Sequence, residues 1–146
     1  MQSNLRRKIK VVAGAFWRRH DKTFAFEIAF FQRKKGDVGE LQFEFPGGKL
    51  EANETCEQAL QRELQEELLV EAQIGAFIGV SYFTTAKYEI ELHLFVVDSF
   101  TPANFTLTEH ETVVWVSEQD KLPDLVPADK PLVEPLFSFL KSNFQV

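Results

Sequence analysis

The stretch GKLEANETCEQALQRELQEE, from Gly48 to Glu67, sets the register for everything around it. A glycine turn leads into residues at helical spacing. Thr55, with Gln58 three residues on, makes a capping-box start. From Cys56, the apolar residues Leu60, Leu64 and Leu68 recur at every fourth position and form one stripe. Gln58, Gln61 and Gln65 cluster on the opposite arc, which should face water. At roughly 100° per residue, Glu63, Glu66 and Glu67 occupy a third arc that borders the apolar stripe. An ordinary solvated helix would carry its acids where the glutamines stand. Here they lean toward the protein, and like charges that close repel unless a proton or cation sits between them. Carboxylate oxygens are the ligands Mg²⁺ or Mn²⁺ prefers, and Mg²⁺ commonly accompanies phosphate substrates. The alternative is a charged surface helix, since Glu is a good helix former. Against it stand Glu54, Arg62 and Gly47-Gly48, all in phase with the acids.

Outward from this helix, residues about 8–18 and 23–33 are rich in β-branched and aromatic residues and read as strands joined by a turn at His20-Asp21-Lys22. Leu41 to Phe45 alternates apolar and polar and is expected to end at Pro46-Gly47-Gly48. Beyond the helix, strands are expected at about 71–83, 88–99 and 112–117. After Pro127-Ala128-Asp129-Lys130-Pro131, the residues Leu132, Val133, Leu136, Phe137 and Leu140 give a second helical stripe. Strands on both sides of a helix, with a closing helix, imply an α/β fold: a mixed sheet flanked by helices.

At 146 residues the chain is long enough to bury a real core as one domain, 1–146. A hydrophobic content of 45% and a charged content of 26% are ordinary for a soluble protein. Fifteen phenylalanines promise an aromatic-rich core or pocket. The net charge of -6 argues against binding a nucleic-acid polymer, which needs a basic footprint. It does not argue against a nucleotide, because bound metal would supply local positive charge. The single Cys56 lies on the helix stripe and reads as a buried thiol in a reducing compartment. Arg6-Arg7-Lys8 followed by an apolar run mimics a signal peptide, but the run breaks at Arg18-Arg19-His20. No stretch reaches the roughly 20 apolar residues of a membrane helix, so a cytoplasmic location is expected.

The spacing of Gly48, Glu54, Arg62-Glu63-Leu64 and Glu66-Glu67 is that of the Nudix box, and the chain resembles a Nudix hydrolase of the MutT-like kind. The resemblance covers nearly the whole chain and implies the Nudix α/β/α sandwich. It implies Glu63, Glu66 and Glu67 as metal ligands with the carbonyl of Gly48, for Mg²⁺ or Mn²⁺. Arg62 is implied as the residue that holds a carboxylate in place, with Glu54 as its partner. MutT-like enzymes add an acid from a later loop, and counting back six from Trp115 gives Glu109, with Glu111 as the competing register. Arg33 matches an arginine that contacts the substrate phosphate, and Asp129 stands where relatives read the base. The competing readings are an exposed strand-end arginine and a helix cap. Of the aromatic residues that could stack on a base, Phe45 is assigned to the substrate. Leu69 departs from the pattern, which has a glycine there at the helix exit, usually at positive φ. The exit is therefore expected to be strained or rearranged.

The activity implied is Mg²⁺-dependent hydrolysis of a nucleoside triphosphate to a monophosphate and pyrophosphate, clearing oxidised or modified nucleotides such as 8-oxo-dGTP or modified cytidine triphosphates. Two alternatives stay open: hydrolysis of linked nucleoside diphosphates such as ADP-ribose or nucleotide sugars, and a non-catalytic nucleotide binder. The expected partner is a small-molecule nucleotide, with no membrane, and a monomer or homodimer as the assembly.

Overall fold

A computed structural model describes residues 6–144. In chain order the elements are β1 (Arg7–Ala15), β2 (Trp17–Arg19), β3 (Phe26–Arg33), β4 (Phe43–Glu44), β5 (Gly47–Lys49), α1 (Cys56–Leu68), β6 (Glu71–Thr84), β7 (Tyr88–Thr101), β8 (His110–Ser117) and α2 (Lys130–Asn143). One sheet has the order β5-β1-β7-β6, with β1 parallel to β7 and the other pairs antiparallel. A second sheet is built around β3, which pairs with β2, β4 and β8. The mixed sheet flanked by helices is therefore present.

Strands β1 and β3 show why helices cover both faces. Val12, Ala13, Ala15 and Phe16 are at most 2% exposed, and Ile28 to Phe31 are sealed. Continuous burial, rather than alternation, marks a strand covered on both sides. Val12, Phe16, Ala29 and Phe31 pack with Leu60, Leu64 and Leu68 of α1. Ala13, Ala15, Ile28 and Phe30 pack with Leu132, Leu136 and Leu140 of α2. Each fully buried leucine of α1 contributes roughly 1.5–3 kcal/mol, which fixes the helix face and hence the direction of its acids.

Three departures from the expected strands bear on the layout of the site. The first strand breaks at Phe16, where the chain passes from one sheet to the other and the Phe16 carbonyl accepts from Ala29 N–H at 3.0 Å. The segment Leu41–Phe45 shortens to Phe43–Glu44. Gly47-Gly48 does not merely stop a strand but forms one, with Gly47 opposite Ala13 on β1. At Gly47, with φ at 157°, an added Cβ would lie 1.9 Å from the Val12 carbonyl oxygen, so only glycine allows this approach.

Candidate active site

Helix α1 starts as its sequence dictates. Thr55 accepts from the Gln58 N–H, and the Gln58 side chain accepts from the Thr55 N–H. The helix ends on Leu69 at φ 53° and ψ 44°, the left-handed conformation, 44% exposed. A non-glycine side chain there is strained. The loop before β8 supports this exit: Thr106 N–H donates to the Leu68 carbonyl, and the Thr108 hydroxyl donates to the carbonyls of Glu66 and Glu67. Carbonyls that the helix itself leaves unmet are thus capped from forty residues away.

Arg62 is the hub of the box. It donates to both oxygens of Glu54 at 2.7 and 2.9 Å, to Glu63 at 2.9 Å and to the Lys49 carbonyl at 3.1 Å. The guanidinium fork suits this two-point grip on a carboxylate. Arg62, then the Glu51 N–H, hold the Glu54 carboxyl down at about 2. Glu63 is thereby turned over Gly48, where an added Cβ would lie 2.4 Å from its carboxyl carbon. A side chain at position 48 would push the Glu63 carboxyl out of this place.

The acids of the third arc do not share one environment. Glu67 is 3% exposed, and its Oε2 is sealed without a hydrogen-bond partner. Burial first, then the Glu63 carboxyl and the charges of Glu44 and Glu109, push its proton affinity well above the carboxylate range. The Glu63 side chain is 15% exposed, whereas that of Glu66 is 55% exposed and reaches back toward Arg62 at 3.6 Å. Glu66 is therefore a correction to the expectation that all three acids lean inward. Among the described residues, no three His, Cys, Asp or Glu side chains converge as a closed metal cage. What is present is an open set of oxygen donors around the unpartnered oxygen of Glu67, a chemistry that suits a hard divalent cation.

Beside Glu67 opens a cavity of about 410 Å³, lined by Arg33, Lys34, Asp37, Glu44, Gly47, Glu67, Thr108, Glu109 and His110. Glu109 lines it and Glu111, one residue inside β8, does not. Arg33 lines it as well, held by Glu44 at 2.8 Å and by the Val38 carbonyl at 2.6 Å. Asp129 stands behind this wall, 5% exposed, and accepts from the Phe45 N–H at 2.7 Å. It makes no side-chain cap on α2. Burial pushes the Asp129 carboxyl up to about 8, against the pull of the Phe45 N–H. Phe45 corrects another expectation. Its ring is 3% exposed and packs on Phe30 at 5.0 Å, so it offers its backbone here rather than a stacking face. Cys56 is half-buried rather than sealed.

Among the cavity residues that escaped the sequence reading, Glu44 and His110 form a pair. Glu44 was visible only as the polar phase of an alternating strand, and His110 as a member of an acidic loop. In the structure His110 donates from Nε2 to Glu44 at 2.9 Å and lies 3.7 Å from Glu67.

A family model for the NUDIX domain matches residues 8–136, and the chain belongs to that family. Within it the chain is a MutT-like hydrolase, an enzyme class that acts on phosphorus-containing anhydrides and works with divalent cations. It is 40% identical over 93 residues to the CTP pyrophosphohydrolase of Escherichia coli (strain K12), covering 63% of this chain and 68% of that one. It is 42% identical over 92 residues to an 8-oxo-dGTP diphosphatase of Proteus vulgaris, covering 63% and 78%. Among solved structures, the E. coli ORF135 protein superposes with a TM-score of 0.77 at 32% identity, over 97% of this chain and 96% of that one.

Proposed function

We propose that this chain, acting as one catalytic domain over residues 1–146, hydrolyses nucleoside triphosphates to monophosphate and pyrophosphate with Mg²⁺. The observation that carries the reading is the Glu67 carboxylate, buried with one free oxygen at the edge of a polar cavity that also holds Glu109 and Arg33. Glu63, Glu66, Glu67 and Glu109, with the Gly48 carbonyl, would hold the cation. When bound, Mg²⁺ offsets phosphate charge and activates a water. Arg62 keeps Glu63 over Gly48, and Glu54 keeps Arg62 in place, an outer-layer role of the kind that orients metal ligands. Arg33 presents its guanidinium to phosphate oxygens.

Asp129 reads the base. One of its oxygens is committed to Phe45 N–H, which fixes the carboxyl plane. With its proton on, as a value of about 8 favours at neutral pH, the group can donate as well as accept. The relative named for 8-oxo-dGTP supports an oxidised nucleotide as substrate, and the one named for CTP supports a cytidine triphosphate. We place the reaction in the cytoplasm. Among the described residues, no helix is long and apolar enough to cross a membrane.

The test is product identification with Mg²⁺ and a panel of ordinary and oxidised dNTPs, CTP, ADP-ribose and nucleotide sugars. Monophosphate plus pyrophosphate from a triphosphate, lost in Glu67→Gln, is the expected result. Turnover of linked diphosphates alone, or no turnover, would overturn it.

A further inference from the structure

The wall of the cavity opposite α1 is a chain of three side chains from three strands. His110, at the start of β8, donates from Nε2 to Glu44 Oε2 at 2.9 Å. The other oxygen of Glu44, on β4, accepts from Arg33 Nη1 at 2.8 Å. Arg33, at the end of β3, is further tied by Nε to the Val38 carbonyl at 2.6 Å, and its Cα pairs across the ladder with His110. Exposure rises along the chain: the side chains of His110, Glu44 and Arg33 are 2%, 17% and 30% exposed. The buried end is anchored and the cationic end reaches the cavity.

A histidine kept for packing alone is expected to have both ring nitrogens satisfied. His110 does not: Nδ1 is sealed without a partner, and the ring rests on Phe31 with centroids 5.4 Å apart. Its one hydrogen bond is spent on a carboxylate of the cavity wall. Nε2 also lies 3.7 Å from Glu67 Oε1, so the ring stands between Glu44 and the buried acid of the box.

We propose that His110 is a positioning residue for the reaction: by fixing Glu44, it aims the Arg33 guanidinium at the substrate phosphates and keeps Glu44 apart from the Glu63–Glu67–Glu109 group. The proposal rests on the reading of Arg33 as a phosphate contact. Arg33 has three rotatable bonds beyond Cβ and no other acid holding it among the described residues. Without His110, one oxygen of Glu44 is released, and the grip on Arg33 loosens although neither residue is altered.

The experiment is steady-state kinetics with the preferred triphosphate for His110→Ala, His110→Gln, Arg33→Ala and the double variant His110→Ala/Arg33→Ala, with melting temperatures for each. His110→Ala should raise KM about tenfold and change kcat by less than about threefold, as expected of an outer-layer residue. His110→Gln, whose amide reaches the same donor position, should recover most of the loss. In the Arg33→Ala background, His110→Ala should add less than about twofold, the signature of one shared path. Equal losses in both backgrounds, a loss confined to kcat, or no rescue by Gln at an unchanged melting temperature would each overturn the proposal. If His110→Ala does not fold, Glu44→Gln must give the same rise in KM, and an unchanged KM overturns the proposal. The rise in melting temperature with inorganic tripolyphosphate and Mg²⁺ separates the two readings. If the wild type turns over no nucleotide, the triphosphatase reading fails, while weaker tripolyphosphate stabilisation of His110→Ala still decides the positioning role.

Discussion

Two carboxyls that flank the cavity without lining it, Glu54 on the box side and Asp129 on the far side, are held by opposite means. On the box side, Glu54 meets a guanidinium in water's reach, and Arg62 keeps it charged down to about pH 2. Behind the far wall, Asp129 is enclosed with a single backbone N–H, and burial raises it to about 8. Glu67 sits where the walls meet, buried like Asp129 yet crowded by the box acids. A carboxylate beside a cation stabilises the fold, whereas one enclosed without a charge partner is kept at a cost that its function must explain.

The sharpest way to break this contrast is Glu67→Gln. Activity should fall by roughly 10²–10³, a loss typical of a group that acts at the reacting centre. Stability without metal should hold or rise, because an amide replaces a buried acid with one unmet oxygen. A variant that kept activity and melted earlier would place Glu67 among purely structural residues. Next in size is Arg62→Ala, which releases Glu63 and Glu54 together. We expect about a 10–100-fold drop in divalent-metal affinity, read by the metal-induced rise in melting temperature. An unchanged rise would mean that Glu63 needs no guide.

The two carboxyls should also answer pH in opposite directions. For Glu54 the folded value lies below the free value of 4.5, so its stabilisation is present above that pH and is lost as pH falls toward about 2. The gap between wild type and Glu54→Gln, followed by urea unfolding, should therefore close on acidification. For Asp129 the folded value lies above 3.8, so the wild type loses ground as pH rises from there through about 8. Asp129→Asn should overtake it at alkaline pH. Parallel pH profiles for the two variants would remove the distinction between the two carboxyls.

The smallest effect is expected at the helix exit. Leu69→Gly should raise stability by about 1 kcal/mol, since glycine adopts the left-handed conformation without the Cβ penalty. A lower melting temperature would mean that the Leu69 side chain contributes more by contact than its backbone costs.

The box wall was legible because its parts lie within one local stretch. The capping box and the Leu60–Leu64–Leu68 stripe follow from helical spacing, while the Arg62–Glu54 pair and the positive φ at Leu69 are what the Nudix resemblance implied over the same stretch. Even here Glu66 misled: its arc borders the core, but a helix arc does not say where a long side chain ends. Glu109 was picked out by its spacing from Trp115, which the MutT-like resemblance supplied, and it lines the cavity.

Sequence by itself therefore determined the helix, its acids, the glycines beneath them and the layered α/β fold, because periodicity and caps are properties of neighbouring residues. Tertiary structure alone decided the opposite wall. Glu44 meets His110 across 66 positions and Phe45 meets Asp129 across 84, and such pairs exist only once β3, β4 and β8 have found their register. The same packing made Gly47-Gly48 a strand and turned the Phe45 ring into the core. Surroundings, not residue type, then set the carboxyls apart: burial raises Asp129 and Glu67, and the Arg62 guanidinium lowers Glu54.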